Sequence, residues 1–194
     1  MNPPEPIHIF ISSDEDEFSD FRERLKAILE KVQVVSSKKA GEQVTGPAES
    51  HYYQPLIVPE VAEYWRGGNV ERKMRTIMNR SHLYVGLFGK EFSRRTTKEF
   101  SGAIDRGMTT IVYYFAGPTQ ALKALSGSGD KVYEFLMEEV YPKTFIRGNY
   151  GRIQIKSLAE LEDEIVLDIV AELTSMIRQY HAVQKAISGF QSES

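Results

Sequence analysis

Apolar residues fall into two patterns along this chain, one typical of buried strands and the other of amphipathic helices. Short apolar runs without polar alternation predict strands buried on both faces, as in parallel sheets; these cover residues 6–13, 56–58, 83–89 and 109–115. Apolar positions spaced by about 3.6 residues, with cap and turn residues, predict helices at residues 16–33, 70–80, 97–107, 118–126, 130–141 and 157–187. A fifth strand is predicted at either Phe145-Ile146 or Ile153-Gln154-Ile155.

The regular alternation of strands and helices predicts one α/β domain spanning residues 1–194. We expect a flavodoxin-like, doubly wound parallel sheet of five strands in the order 2-1-3-4-5. The core covers about residues 7–156, and a long C-terminal helix follows at about 157–187. Residues 36–55 are polar and broken by glycine and proline, which predicts a long loop.

This strand order predicts where a ligand binds. In open parallel sheets the ligand crevice lies at the carboxyl ends of the strands where the winding reverses, here between strands 1 and 3. The helix that follows strand 3 contributes its N-terminal end to the same crevice. Nine residues are therefore candidates for a site: Phe10, Ser12, Ser13, Phe88, Gly89, Arg94, Arg95, Thr97 and Glu99.

Each candidate also has a purely structural interpretation. Ser12 and Ser13 have hydroxyls that can bind a ribose or a phosphate, but Ser13 also fits a helix N-cap and Ser12 a turn. Arg94 and Arg95 can hold a phosphate, although adjacent arginines in a loop are commonly just solvated. The aromatic rings of Phe10 and Phe88 can stack on a base, or they can belong to the core.

Glu99 is the candidate with the most specific chemistry. A carboxylate at a helix start in the crevice can stabilise or attack a cationic glycosyl centre. The alternative is a capping box, in which Thr96 is the N-cap and Glu99 bonds back to the backbone N–H of Thr96. The spacing Thr96-x-x-Glu99 fits both interpretations.

Composition and motifs exclude several classes of site. The chain has 194 residues, no cysteine and a net charge of −3, so disulfides, thiol nucleophiles and Cys-ligated metals are absent. No Walker A, dinucleotide-binding Gly-x-Gly-x-x-Gly or Gly-x-Ser-x-Gly motif occurs. The four histidines lack metal-ligand spacing. We therefore expect no metal site and no resident cofactor.

Charge and hydropathy also limit the partners. Residues 66–106 carry ten basic and four acidic side chains, a local excess that suits a small anionic ligand such as a nucleotide better than sequence-specific nucleic-acid binding. The N-terminus lacks the features of a signal peptide, and no apolar run is long enough to span a membrane. We expect a cytoplasmic protein without a membrane partner.

Three segments resemble those of TIR (Toll/interleukin-1 receptor) domains and of the TIR-like domains of bacteria and archaea. The first strand, Ile9-Phe10-Ile11-Ser12-Ser13, is similar to the first-strand motif of the family, and residues 80–89 are similar to its third strand. Residues 97–107 and 110–112 resemble its helix with a glutamate near the start, followed by strand 4. Nucleoside deoxyribosyltransferases share this last pattern. The resemblance covers about residues 7–116.

The resemblance implies an activity and a catalytic residue. Enzymes of the family cleave the bond between nicotinamide and ribose in NAD with the helix glutamate, which is Glu99 in this chain, and NAD is then a substrate. Assembly into homo-oligomers often activates such domains. The Trp-Cys pair common before this glutamate is replaced by Arg94-Arg95-Thr96. A non-enzymatic sensing or self-association module and a nucleoside deoxyribosyltransferase-like enzyme remain alternatives.

Overall fold

The computed structural model describes residues 6–32, 57–61, 70–89, 93–115, 131–140, 142, 146–149 and 158–192. Strands and helices alternate along these segments, as the hydrophobic pattern predicts. In chain order they are β1 (Ile7–Ser13), α1 (Glu15–Leu29), β2 (Ile57–Val61), α2 (Val70–Arg80), β3 (Leu83–Phe88), α3 (Arg94–Asp105), β4 (Thr109–Tyr114), α4 (Lys131–Phe135), a π-helical turn (Leu136–Val140), β5 (Ile146–Asn149) and α5 (Leu158–Ser192).

Three parallel strands, β1, β3 and β4, form the centre of the sheet. Ser12 of β1 is in register with Gly86 of β3, which in turn is in register with Val112 of β4. The outer strands β2 and β5 pair in parallel with β1 and β4. The mixed α/β class, the parallel central sheet and the C-terminal helix are therefore confirmed.

Apolar side chains cover both faces of the sheet, because successive residues of a strand point to opposite sides. On one face, Ile9 and Ile11 pack with Leu25 of α1 and Ile169 of α5. On the other face the core contains side chains of β1, β3, β4, α2, α3 and the α4 region, among them Phe10, Met78, Tyr84, Phe100 and Leu136. The two cores fix α1 and α3 on opposite faces of the same sheet.

Several predicted boundaries need correction. Helix α1 ends at Leu29 rather than at 33, and a turn follows it. Strand β2 extends to Val61, three residues beyond the predicted end. The α-helix predicted for residues 130–141 continues after Phe135 as a π-helical turn. Helix α5 runs to Ser192, beyond the predicted 187.

The strand observed after α4 is Ile146–Asn149, which corresponds to the first of the two predicted positions for a fifth strand. The alternative, residues 153–155, lies outside the described residues. So do the predicted loop at 36–55 and the predicted helix at 118–126.

Candidate functional site

Helix α3 places Glu99 at the centre of the candidate site. The Ser93 side chain caps this helix by accepting a hydrogen bond from the backbone N–H of Thr96, at 3.3 Å. Arg94 is then the first helical residue, and Glu99 lies more than one turn into the helix. Its side chain points into the fold, so that only 1% of the residue is exposed.

This geometry overturns the capping-box interpretation of Glu99. A capping box would require Thr96 as the N-cap, but Thr96 is inside the helix and Ser93 has that role. The prediction that the helix opens at Thr96-Thr97, after a basic loop, is wrong for the same reason. Arg94 and Arg95 form the first turn of α3 instead of a loop.

Both carboxylate oxygens of Glu99 are held by side chains. The Ser12 hydroxyl, near the end of β1, donates to Oε2 at 2.5 Å. The Arg95 Nε donates to Oε1 at 2.9 Å, and the two side chains form an ion pair one helical turn apart. The short O···O distance is typical of a hydroxyl bound to a charged acceptor. The site thus joins the carboxyl end of β1 to the first turns of α3.

Burial raises the pKa of Glu99 above its ordinary value. The Ser12 hydrogen bond and the positive charges of Arg95 and Arg22 act in the opposite direction, but they offset the effect of burial only in part. Perturbation of this kind, from burial combined with specific charged partners, is typical of functional carboxylates and also occurs in structural ion pairs.

Tyr84 and Gly86 of β3 lie beside Ser12. The Tyr84 hydroxyl is 3.5 Å from the carbonyl oxygen of Thr96. Burial and the negative charge of Glu99 raise the pKa of Tyr84 well above its usual range. Gly86 is paired with Ser12 in the sheet, and a Cβ there would lie 2.9 Å from the Tyr84 ring. The absent side chain therefore lets the tyrosine lie along the strand.

Ser13 does not cap α1, contrary to one of its two interpretations. The Asp14 carboxylate has that role, because its Oδ1 accepts from the backbone N–H of Glu17 at 3.3 Å. Ser13 is the last residue of β1, and its buried hydroxyl has no hydrogen-bond partner. The hydroxyl of Thr96 is also buried without a partner.

Gly89 follows β3 directly and lies under the carboxyl group of Glu17. A Cβ at Gly89 would overlap that carboxyl group. The first turn of α1 therefore contacts the end of β3, across the crevice that the topology predicts. A side chain at residue 89 would require the flexible end of Glu17 to turn aside.

The remaining predicted site residues lie around this centre. Phe10 is completely buried against the Tyr84 ring, with 6.0 Å between ring centroids. Phe88 is also in the core, 5.8 Å from the Phe135 ring. The Thr97 hydroxyl donates a hydrogen bond to the carbonyl oxygen of Arg94, and Arg94 is an exposed residue. The structure brings Ser12, Arg95 and Glu99 into direct contact, whereas the ligand contacts predicted for the other residues stay predictions.

Sequence reasoning missed Tyr84 and Arg22. Arg22 is on the buried side of α1 and only 6% exposed. A basic residue four positions after Phe18, within an otherwise apolar helical stripe, was the available signal for Arg22. For Tyr84 the pattern showed only a strand residue, because the aromatic ring also belongs to the core.

Within the described segments, no group of three or more histidine or acidic side chains is arranged to hold a metal ion. Among the helices of those segments, none combines the length and apolar character needed to cross a membrane. Neither the models of known protein families nor the curated proteins compared with this chain match it.

Proposed function

We propose that this protein is a TIR-like nucleotide N-glycosidase that cleaves the nicotinamide–ribose bond of NAD, with Glu99 as the catalytic carboxylate. The observation that carries the proposal is the buried Glu99 carboxylate, held by Ser12 at the carboxyl end of β1. We further propose a flavodoxin-like sheet in the order β2-β1-β3-β4-β5. This order puts the winding reversal between β1 and β3, where ligands bind in such folds.

This reaction requires few catalytic groups from the protein. Nicotinamide leaves as a neutral molecule with the electrons of the broken bond, and positive charge develops on the ribose. A carboxylate fixed nearby stabilises that charge, and water then completes the conversion to ADP-ribose with release of a proton. Glu99 must be ionised for this role, so we expect the rate to rise with pH through a pKa above that of an ordinary glutamate.

Arg95 determines access to Glu99 in this mechanism. Its guanidinium covers Oε1, and its side chain is 31% exposed while that of Glu99 is 2% exposed. A substrate must therefore displace the arginine to bring its ribose against the carboxylate. Because Arg95 is at the protein surface, this movement requires no unfolding of α3.

The test is nicotinamide release from NAD by concentrated protein, comparing wild type with Glu99→Gln. Asp105→Asn is the matched control, since it changes an exposed carboxyl to an amide on the same helix. We expect release by wild type and Asp105→Asn, and none by Glu99→Gln at an unchanged fold. Release that persists in Glu99→Gln would refute the role of Glu99.

A second candidate is a non-enzymatic nucleotide-sensing or self-association module. The same ion pair favours it, because a carboxylate already neutralised by Arg95 and held by Ser12 can be purely structural. Absence of release from NAD by concentrated wild type would favour this candidate. Base release from deoxynucleosides, measured in parallel, would instead indicate a deoxyribosyltransferase-like enzyme that uses the same glutamate.

A further inference from the structure

Arg22 is a cation on the buried side of α1. The residue is 6% exposed, and its Nε has no hydrogen-bond partner. An unpaired guanidinium in a protein interior is costly, because its lost hydration is not replaced. The buried Arg22 side chain, with its unpartnered Nε, therefore requires an explanation beyond packing.

Glu99, the acidic group whose charge interacts with Arg22, is engaged elsewhere, and so are the described acidic side chains in the first turn of α1. Glu99 is close enough for the charge of Arg22 to lower the pKa of its carboxyl group. However, its two oxygens accept hydrogen bonds from Ser12 and Arg95. In the first turn of α1, Asp14 accepts from the backbone N–H of Glu17, and the Glu17 carboxyl group lies against Gly89.

The charges of Glu99, Arg95 and Arg22 do not balance. Ionised Glu99 contributes one negative charge, which Arg95 pairs directly, so Arg22 adds a positive charge to a largely buried environment. Ser13, which follows Ser12 at the end of β1, is 7% exposed as a residue, and its buried hydroxyl has no hydrogen-bond partner. The guanidinium of Arg22 and the unpartnered hydroxyl of Ser13 are both hydrogen-bond donors that suit the oxygens of a phosphate group.

We propose that Arg22, with the hydroxyl of Ser13, binds a phosphate group of the nucleotide that enters the site of Glu99. This inference rests on the proposed function only in taking the ligand to be a nucleotide. It assigns the phosphate end of that ligand to α1 and the end of β1, while the reacting ribose lies at Glu99.

The test measures binding by calorimetry, without turnover. The probes are ADP, adenosine and inorganic pyrophosphate, each titrated into wild type, Arg22→Met and Arg22→Lys. Arg75→Met is the control, because Arg75 is an exposed arginine on α2. Arg22→Lys keeps the charge but loses the planar set of donors, and it provides the measurement if Arg22→Met does not fold.

We expect Arg22→Met to weaken ADP binding by roughly tenfold or more, since bonds between charged partners are lost. Arg22→Lys should lie between this variant and wild type, Arg75→Met should match wild type, and adenosine binding should be equal in all four proteins. Pyrophosphate binding with the same dependence on Arg22 would support the site and show that free phosphate suffices. Binding of ADP but not pyrophosphate would support a phosphate carried by a nucleotide.

The inference is overturned if wild type binds ADP no better than adenosine, or if both Arg22 variants bind ADP as tightly as wild type. These outcomes are independent of the proposed function. Arg22-dependent ADP binding without nicotinamide release would leave this inference standing while the glycosidase fails. Nicotinamide release together with ADP binding that is independent of Arg22 would support the glycosidase and overturn this inference.

Discussion

Replacement of Ser12 by alanine removes the hydrogen bond that most directly joins β1 to Glu99. The hydroxyl donates to a buried carboxylate over 2.5 Å, and nothing else in the described part of the chain donates to that oxygen. A bond to a charged group contributes about 1.5–3 kcal/mol. For a domain of this size, that loss corresponds to a melting temperature lower by roughly 3–12 °C.

The loss should depend on pH. The Ser12 bond lowers the pKa of Glu99, so its removal raises that pKa further and penalises the ionised carboxylate. Once Glu99 is protonated, the variant lacks only a neutral hydrogen bond, which contributes about 1 kcal/mol. Ser12→Ala should therefore be destabilised more at about pH 8 than at about pH 4.

Urea unfolding of wild type and Ser12→Ala at both pH values provides the measurement, with Ser19→Ala as a control. Ser19 is exposed on α1, and its replacement should change stability by less than about 0.5 kcal/mol. Equal stability of Ser12→Ala and wild type at high pH would refute the assignment of the bond. An equal loss at both pH values would show that the protonation state of Glu99 in the folded protein does not change between them.

Three further predictions concern other features of the fold. Because burial raises the pKa of Glu99, the stability that protonated Glu99 gives the folded wild type is present at low pH and is lost as the pH rises through the raised pKa. The melting temperature of Glu99→Gln should therefore increase with pH relative to that of wild type. A relative decrease would contradict the raised pKa. Gly89→Ala brings a methyl group against the carboxyl end of the flexible Glu17 side chain, which can turn aside, so it should lower the free energy of unfolding in urea by no more than about 1 kcal/mol; a larger loss that Glu17→Ala in the same chain does not recover would contradict this. Gly107 has φ +65 with open space around it, so Gly107→Ala should cost about 1 kcal/mol from backbone conformation alone, and Gly107→Asn less; an equal loss in both variants would argue against this cause.

Hydrophobic periodicity was sufficient to predict most elements of the described fold. Strands such as β3 are buried along their whole length, so their apolar runs contrast clearly with the polar segments between them. The proximity of Ser12 and Glu99 was predictable as well, because the parallel pairing of β1 with β3 brings the end of β1 close to the start of α3. The contact between Ser12 and Glu99 follows from this rule.

Local capping was not predictable with the same accuracy. Ser93 and Thr96 are both good N-cap residues three positions apart, and so are the neighbours Ser13 and Asp14. The choice between them depends on the backbone dihedrals of one residue, which tertiary packing decides. Ser93 has the extended conformation of an N-cap, with φ −90 and ψ 111, and this places Glu99 beyond the reach of a capping box.

Side-chain direction was the other missing information. The sequence shows that Arg22 is on the apolar side of α1, but it does not show whether the guanidinium reaches solvent along its aliphatic stem or remains inside. The structure buries it with an unpartnered Nε. Pairing of Arg95 with Glu99 was likewise hidden, because the residues before Thr96 were expected to form a loop.

The role of Glu99 is tested most directly by nicotinamide release from NAD by concentrated wild type and Glu99→Gln, with thermal melts of both proteins. Glutamine can accept a hydrogen bond from Arg95 through its oxygen and donate one to the Ser12 hydroxyl through its nitrogen, so the variant should remain folded. We expect release by wild type and none by the folded variant. Equal release by both proteins, or none by wild type at high concentration, would contradict the proposed catalytic role of Glu99.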